Sequence, residues 1–266
     1  MRIASWNVNS IKARLPRLSA WLTDRRPDIL LMQETKATAE SFPVAAMAEL
    51  GYTAVHTGSG RWNGVAVLAR SAPGDVLIGL PDQPAVDGAQ EARAIGATVA
   101  GVRLWSLYVP NGRSVGSPHY AYKLDFLAAV QAQAEREVAA LGPDTPFALI
   151  GDFNVAPSDD DVWDIDAFAG STHVSADERA AVERITSALG LHDLPPRASV
   201  APDDTRPPYT FWEMRMLGFQ KGRGMRIDLA LANDAFRRRV HDVWVDRDAR
   251  RGEGPSDHAP LVLDLD

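Results

Sequence analysis

Phe147 to Asn154 reads FALIGDFN. The apolar run FALIG is too short for a buried helix and ends in polar turn formers, so it reads as a buried strand that stops at Asp152. The same arrangement recurs along the chain. Asn7 follows RIASW, Glu34 follows DILLMQ, and Tyr108 lies late in RLWSLYV. Asp228 heads RIDLALA, while Asp257 and His258 precede the last apolar run, LVLDL. GVAVLA and RAIGATV complete the set of expected strands. Polar groups placed where apolar strands run out bring several strand ends to one rim, and loops held by such a scaffold are the usual home of catalytic side chains. Asp257 and His258 sit at a strand start instead. That polarity suits an edge where antiparallel neighbours bring starts and ends together.

Helix signals lie between the strands, which makes the chain an α/β layered protein. Pro43 suits a first helical turn and Gly51 its end. Ser175 and Glu178 form a capping box, followed by Val182, Ile185 and Leu189 on one face and Gly190 past the end. Tyr120 to Leu141 reads as a long helix started near Ser117-Pro118. No repeat or linker interrupts the pattern, and the Pro-rich piece Leu194 to Pro208 reads as an ordered loop, so residues 1–266 are expected to form one domain. A chain of 266 residues, 45% hydrophobic, can bury a core of that size. Cysteine is absent, which excludes disulfides, thiol nucleophiles and Cys-ligated zinc. No apolar run approaches the roughly 18 residues of a membrane helix, and MRIASWNVNS does not read as a signal peptide. A cytoplasmic protein without a membrane partner is expected.

The stretches WNVNS (Trp6 to Ser10), QETK (Gln33 to Lys36), GDFN (Gly151 to Asn154) and PSDHAP (Pro255 to Pro260), with RID at Arg226 to Asp228, follow one another in a telling order. Together they resemble the exonuclease III family of DNA repair nucleases, bacterial exodeoxyribonuclease III and AP endonucleases within the DNase I-like metallophosphoesterases. The resemblance runs from Arg2 to about Leu265. It implies a layered sandwich of two packed mixed β-sheets flanked by helices. It also implies Mg²⁺-dependent hydrolysis of P–O3′ bonds in double-stranded DNA, 5′ to abasic sites and from 3′ ends, with removal of 3′ blocking groups and Mn²⁺ as a possible substitute. A monomer is the default. The alternatives are a superfamily phosphodiesterase acting on a non-DNA phosphoester, or a decayed DNA-binding module.

Carried over position by position, the resemblance makes Asn7, Glu34, Asp152, Asn154, Asp257 and His258 metal ligands. A hard cation such as Mg²⁺ prefers oxygen donors of this kind. Asp152 would activate or orient the nucleophilic water, flanked by Asn154. His258, oriented by Asp228, and Tyr108 would contact the scissile phosphate. The other histidines, His56, His119, His173, His192 and His241, read as packing or surface residues. For DNA, the net charge of −7 is unhelpful in bulk, but Arg215, Lys221, Arg223 and Arg226 lie in one acid-free stretch and are expected at phosphates. Arg61, Lys36, Arg93, Asn111, Arg113 and Lys123 extend that surface. Phe211, Met225 and Ile227 would wall a pocket for an extruded abasic sugar, backed by Trp212 as a core aromatic.

Overall fold

In the computed structural model, which describes residues 1–86, 88–197 and 208–266, every run expected to be a strand forms one. In chain order the first elements are β1 (Arg2–Asn7), α1 (Ile11–Arg25), β2 (Ile29–Gln33), α2 (Val44–Glu49), β3 (Thr53–Thr57), β4 (Val65–Ala69), β5 (Gly74–Ile78), β6 (Ala94–Val99) and β7 (Val102–Tyr108). There follow α3 (Pro118–Ala140), β8 (Phe147–Asp152), α4 (Ala176–Leu189), β9 (His192–Asp193), β10 (Phe211–Trp212), β11 (Gly224–Met225), β12 (Asp228–Ala232), α5 (Asp234–Arg237), β13 (Val240–Val245) and β14 (Leu261–Leu265). One six-stranded sheet has the order β13-β14-β1-β2-β4-β3, and a second has the order β5-β6-β7-β8-β12-β9. Each is mixed: β1 runs parallel to β2 and β7 parallel to β8, with antiparallel partners elsewhere.

The period-2 alternation of strand side chains explains the layers. Ile3, Ile29, Leu31, Val65 and Val67 face inward against Ile95, Leu104, Ile150 and Ala230 of the second sheet. Residues of opposite parity face outward. Leu30, Met32 and Trp6 meet Leu18 and Leu22 of α1 and Met47 of α2, while Trp105, Leu107 and Leu149 meet Phe126 and Val130 of α3 and Ile185 of α4. Strands covered on both faces are apolar along their whole length, which is why they were legible as short continuous runs.

A buried polar clasp crosses the apolar seam between the sheets. Gln33 donates to Ser5 at 3.2 Å and to Ser106 at 3.0 Å, and Ser106 donates to the Met32 carbonyl at 3.0 Å. Every side-chain partner in this clasp is fully buried. Near the end of β8, a Cβ on Gly151 would lie 2.0 Å from the Leu107 carbonyl oxygen. Only glycine allows β7 and β8 to approach there, immediately before Asp152.

The caps form as expected: Ser117 and Ser175 accept from Tyr120 and Glu178, and Gly190 ends α4 in the left-handed conformation. The helix α1, which carries Pro16 inside it, and the strands β3, β5 and β13 were not anticipated. Most of the Leu194–Pro208 piece lies outside the described residues.

Candidate active site

Strand register builds the site. In the parallel pair β1–β2, Asn7 stands opposite Gln33, which places Glu34 one residue beyond. In the other sheet Tyr108 stands opposite Asp152, and Asp152 opposite Asp228. Asn7 joins the two: its amide donates to Glu34 Oε1 and to Asp152 Oδ2, both at 2.9 Å. The loop before β14 brings His258 over this junction. His258 Nδ1 lies 2.8 Å from Asp228 Oδ2, and Nε2 lies 3.6 Å from Asp152 Oδ2. Thr210 accepts the N–H groups of Ile227 and Asp228, and the Trp6 indole donates to the His258 carbonyl.

The backbone here is held in unusual conformations. Asn9, Ser10, Glu34, Lys36, Arg113, Asn154 and His173 all have positive φ, a conformation that costs non-glycine residues energy and clusters at functional sites. Asp152 restrains Asn154 by accepting its N–H at 2.9 Å. Lys36 donates to Asn9 at 2.6 Å and pairs with Glu34 at 2.8 Å, and Asn9 donates in turn to Asp257. Asn9 was not singled out from WNVNS, although its amide ties Lys36 to Asp257.

The electrostatics follow from burial plus crowded carboxylates. Burial alone would lower the His258 pKa, but Asp228 and Asp152 push it up to about 10. Burial, with Asp228 and Glu34 close by, pushes Asp152 up to about 7 against the pull of His258. Burial also opposes ionisation of Glu34, yet Lys36 and Asn7 hold it below its ordinary value. Tyr108 is raised well above the usual phenol range by burial and by Glu34. Arg93 stacks 4.6 Å over the Tyr108 ring and bonds to Glu91 and the Tyr108 carbonyl.

Among the described residues no three His, Asp or Glu side chains are grouped to enclose a metal. Mg²⁺ keeps several waters and needs only one or two carboxylates. Glu34 fits that demand; Asn7 turns its amide nitrogen to Glu34 and its oxygen to the Asn9 N–H, and Asn9 links the site to Asp257.

Three expectations about cations need correction. Arg226 is 6% exposed, and its guanidinium bonds to Asp161 at 2.5 and 3.0 Å and to Asp193 at 2.9 Å. It is committed to the interior and does not reach phosphate. Lys123 is fully buried, paired with Glu178. Arg93 is buried under Tyr108 and orients that ring. Arg226 and Lys123 sit beside acids distant in sequence, which a local count of charge does not reveal, while Arg93 pairs with nearby Glu91. Arg215, Lys221, Arg223 and Arg113 are exposed. Arg223 stacks 4.7 Å over Trp163.

Phe211 pairs with Met225 across β10–β11, and the two join Ile227, Val162 and Ala156 in a small apolar cluster. Phe211 is partly exposed, its ring 5.0 Å from that of His258. Trp212 is fully buried in the main core. His173, read as an ordinary packing residue, lies within 3.2 Å of Asn154 Oδ1 and 3.1 Å of Asn111 Nδ2. Burial holds its pKa down, at about 4. Nothing local in STHVS distinguishes it, since its partners come from other segments.

Oxygen-rich side chains gathered around an aspartate-bound histidine are the equipment of a phosphoester hydrolase. The profile of the Endonuclease/Exonuclease/phosphatase family matches residues 4–258, and the chain belongs to that family. It is 30% identical to exodeoxyribonuclease III of Haemophilus influenzae, over 98% of each chain. Among solved structures it is similar to a 3′-5′ exonuclease from Neisseria meningitidis, at 39% identity and a TM-score of 0.89 over 100% of both chains. An AP endonuclease from Archaeoglobus fulgidus is 34% identical, with a TM-score of 0.88 over 100% of this chain and 99% of that one.

Proposed function

We propose that this chain is a metal-dependent DNA repair nuclease that hydrolyses P–O3′ bonds, at 3′ ends, 3′ blocking groups and beside abasic sites. The observation that carries the reading is the Asn7 amide bridging Glu34 and Asp152 beside the Asp228–His258 pair, in a chain alike along its length to an exodeoxyribonuclease, a 3′-5′ exonuclease and an AP endonuclease.

Water attacks phosphorus in line and the O3′ bond breaks. Asp152 Oδ2, 2.9 Å from Asn7 and pushed towards neutral pH, is placed to take the proton of that water, because a general base works best with a pKa near the working pH. His258, charged and anchored by Asp228, stabilises negative charge on the phosphoryl oxygens through Nε2. Tyr108, held by Arg93, donates its hydroxyl to the same oxygens. Mg²⁺, or Mn²⁺ in its place, bound through Glu34 with Asn7 and Asp257 beside it, would supply Lewis-acid stabilisation of the phosphate.

Arg113 and Asn111 on one side and Arg215, Lys221 and Arg223 on the other hold the strand. The Phe211–Met225–Ile227 cluster walls the position of an extruded abasic sugar, whose flipping costs no base stacking. The protein works in the cytoplasm as a monomer.

Incubation with an abasic duplex, a blunt duplex, a 3′-phosphate nick and an inositol phosphate, with and without EDTA, tests the reading. Cleavage of the DNA substrates leaving 3′-hydroxyl ends, in the presence of metal only, is expected. Turnover of inositol phosphate with inert DNA would overturn it.

A further inference from the structure

The Asn154 amide has a fixed orientation. Its Nδ2 donates to the Val109 carbonyl at 2.9 Å, and its Oδ1 faces Asn111 Nδ2 at 3.3 Å and His173 Nε2 at 3.2 Å. Asn111 is oriented in turn, because its own Oδ1 accepts the Arg113 N–H at 3.1 Å. A flipped Asn154 amide would set its oxygen against the Val109 oxygen and its NH₂ against another NH₂. The second N–H of Nδ2 therefore remains free to meet a substrate oxygen. The geometry points to His173 as the positioning residue that locks Asn154: its Nε2 lies 3.2 Å from the Asn154 amide oxygen and 3.1 Å from Asn111 Nδ2, so the ring holds Asn154 by donating to it or, as the other tautomer, through Asn111 by accepting. The assignment rests on the nuclease reading above, in which Asn154 flanks the reacting phosphate.

The way His173 is held supports this role. Its φ of +79° is one that histidine adopts rarely. Its N–H donates to Glu178 Oε1 at 3.0 Å, and its carbonyl accepts from Ala156 at 2.8 Å. Glu178 is the capping-box acid of α4, and a capping box at a surface helix needs only its serine and its acid. Here Glu178 is fully buried and has further partners: Thr172 at 2.6 Å and the Lys123 ammonium. Lys123 also donates to the Asn154 carbonyl at 2.6 Å and the Asn111 carbonyl at 3.3 Å. One buried ion pair thus grips the backbone of both asparagines and the backbone of the histidine that orients their amides. Starting a helix does not require a buried lysine 55 positions away in sequence. Holding the backbone of Asn111 and Asn154 gives that lysine a use.

His173→Gly tests the assignment cleanly, because glycine accepts the positive φ and the fold is expected to keep its melting temperature. Turnover at a 3′ end should fall by about tenfold or more, the scale of loss when a positioned group is freed, with KM little changed. His173→Gln, whose amide reaches the same oxygen, should recover most of the loss. In combination with Asn154→Ala, His173→Gly should add nothing, since residues acting through one another are not additive. Unchanged turnover in His173→Gly, or losses that multiply in the double variant, would overturn the assignment. The Asn154 side-chain NH₂ signals, read by NMR, separate this from the nuclease reading. NH₂ signals that are shifted and protected from solvent exchange in the wild type and become those of a free asparagine in His173→Gly support the lock even if the DNA substrate is wrong. Free-asparagine shifts and unprotected exchange in both proteins refute it.

Discussion

Arg226→Met removes a cation that sequence reasoning assigned to DNA and the structure assigns to the interior. Asp161, 9% exposed, and Asp193 would lose their common partner. Removing one member of a buried ion pair costs about 3–5 kcal/mol, because the remaining charge is left uncompensated. At about 2–4 °C per kcal/mol for a chain of this size, the melting temperature should drop by roughly 6–20 °C. The apolar double replacement Arg226→Met, Asp161→Leu should recover part of that loss, since a well-packed apolar pair substitutes for a buried ion pair. Denaturant melts and salt-dependent DNA binding should be measured on the same preparations. A true phosphate contact would leave stability unchanged and reduce the slope of log K against log salt by about 0.9. That outcome, with an unmoved melt, would refute the burial argument.

Three further outcomes are expected. Glu34→Gln should abolish most metal-dependent cleavage while the melting curve stays in place, and full activity at low millimolar Mg²⁺ would remove Glu34 from the metal site. Phe211→Ala should lower abasic cleavage by about 1–3 kcal/mol in transition-state terms, changing the ratio of abasic to 3′-end rates; a core role would instead depress both together and cost about 3–5 kcal/mol of stability. His56, whose ring stacks 4.2 Å from Phe42, is held by burial at about 4, below its ordinary 6.5. A histidine depressed in the fold stabilises fully above its unfolded value and loses that contribution as pH falls from 6.5 towards 4; denaturation midpoints across that window should slope less in His56→Gln.

The eight expected strands were legible because each is buried on both faces, and their polar ends because β1, β2 and β8 stop abruptly at Asn7, Glu34 and Asp152. The same regularity made the rim containing Asn7, Glu34, Asp152, Asp228 and His258 readable without coordinates. Strand β5 escaped because it is an exposed edge, and α1 because Pro16 and its many cations mask the apolar face of Leu18 and Leu22. The mistaken cations share a cause. Arg226 and Lys123 meet Asp161 and Glu178 only through the fold, and Arg93, whose acid Glu91 is two residues away, is covered by Tyr108 from another strand, so charge counted along the chain could not separate buried cations from free ones. His173 was missed for the converse reason, as its chemistry lies in neighbours supplied by three other segments.

The clasp of Gln33, Ser5 and Ser106 gives the molecule a mechanical property. Asn7 and Glu34 ride on one sheet, Tyr108, Asp152 and Asp228 on the other, and an interface of aliphatic side chains alone would let the two slide with little penalty. Directional bonds at the seam convert sliding into bond breaking. Loosening between the halves is therefore expected to misalign the reacting groups before either half melts, so activity should be lost on heating ahead of the helix signal.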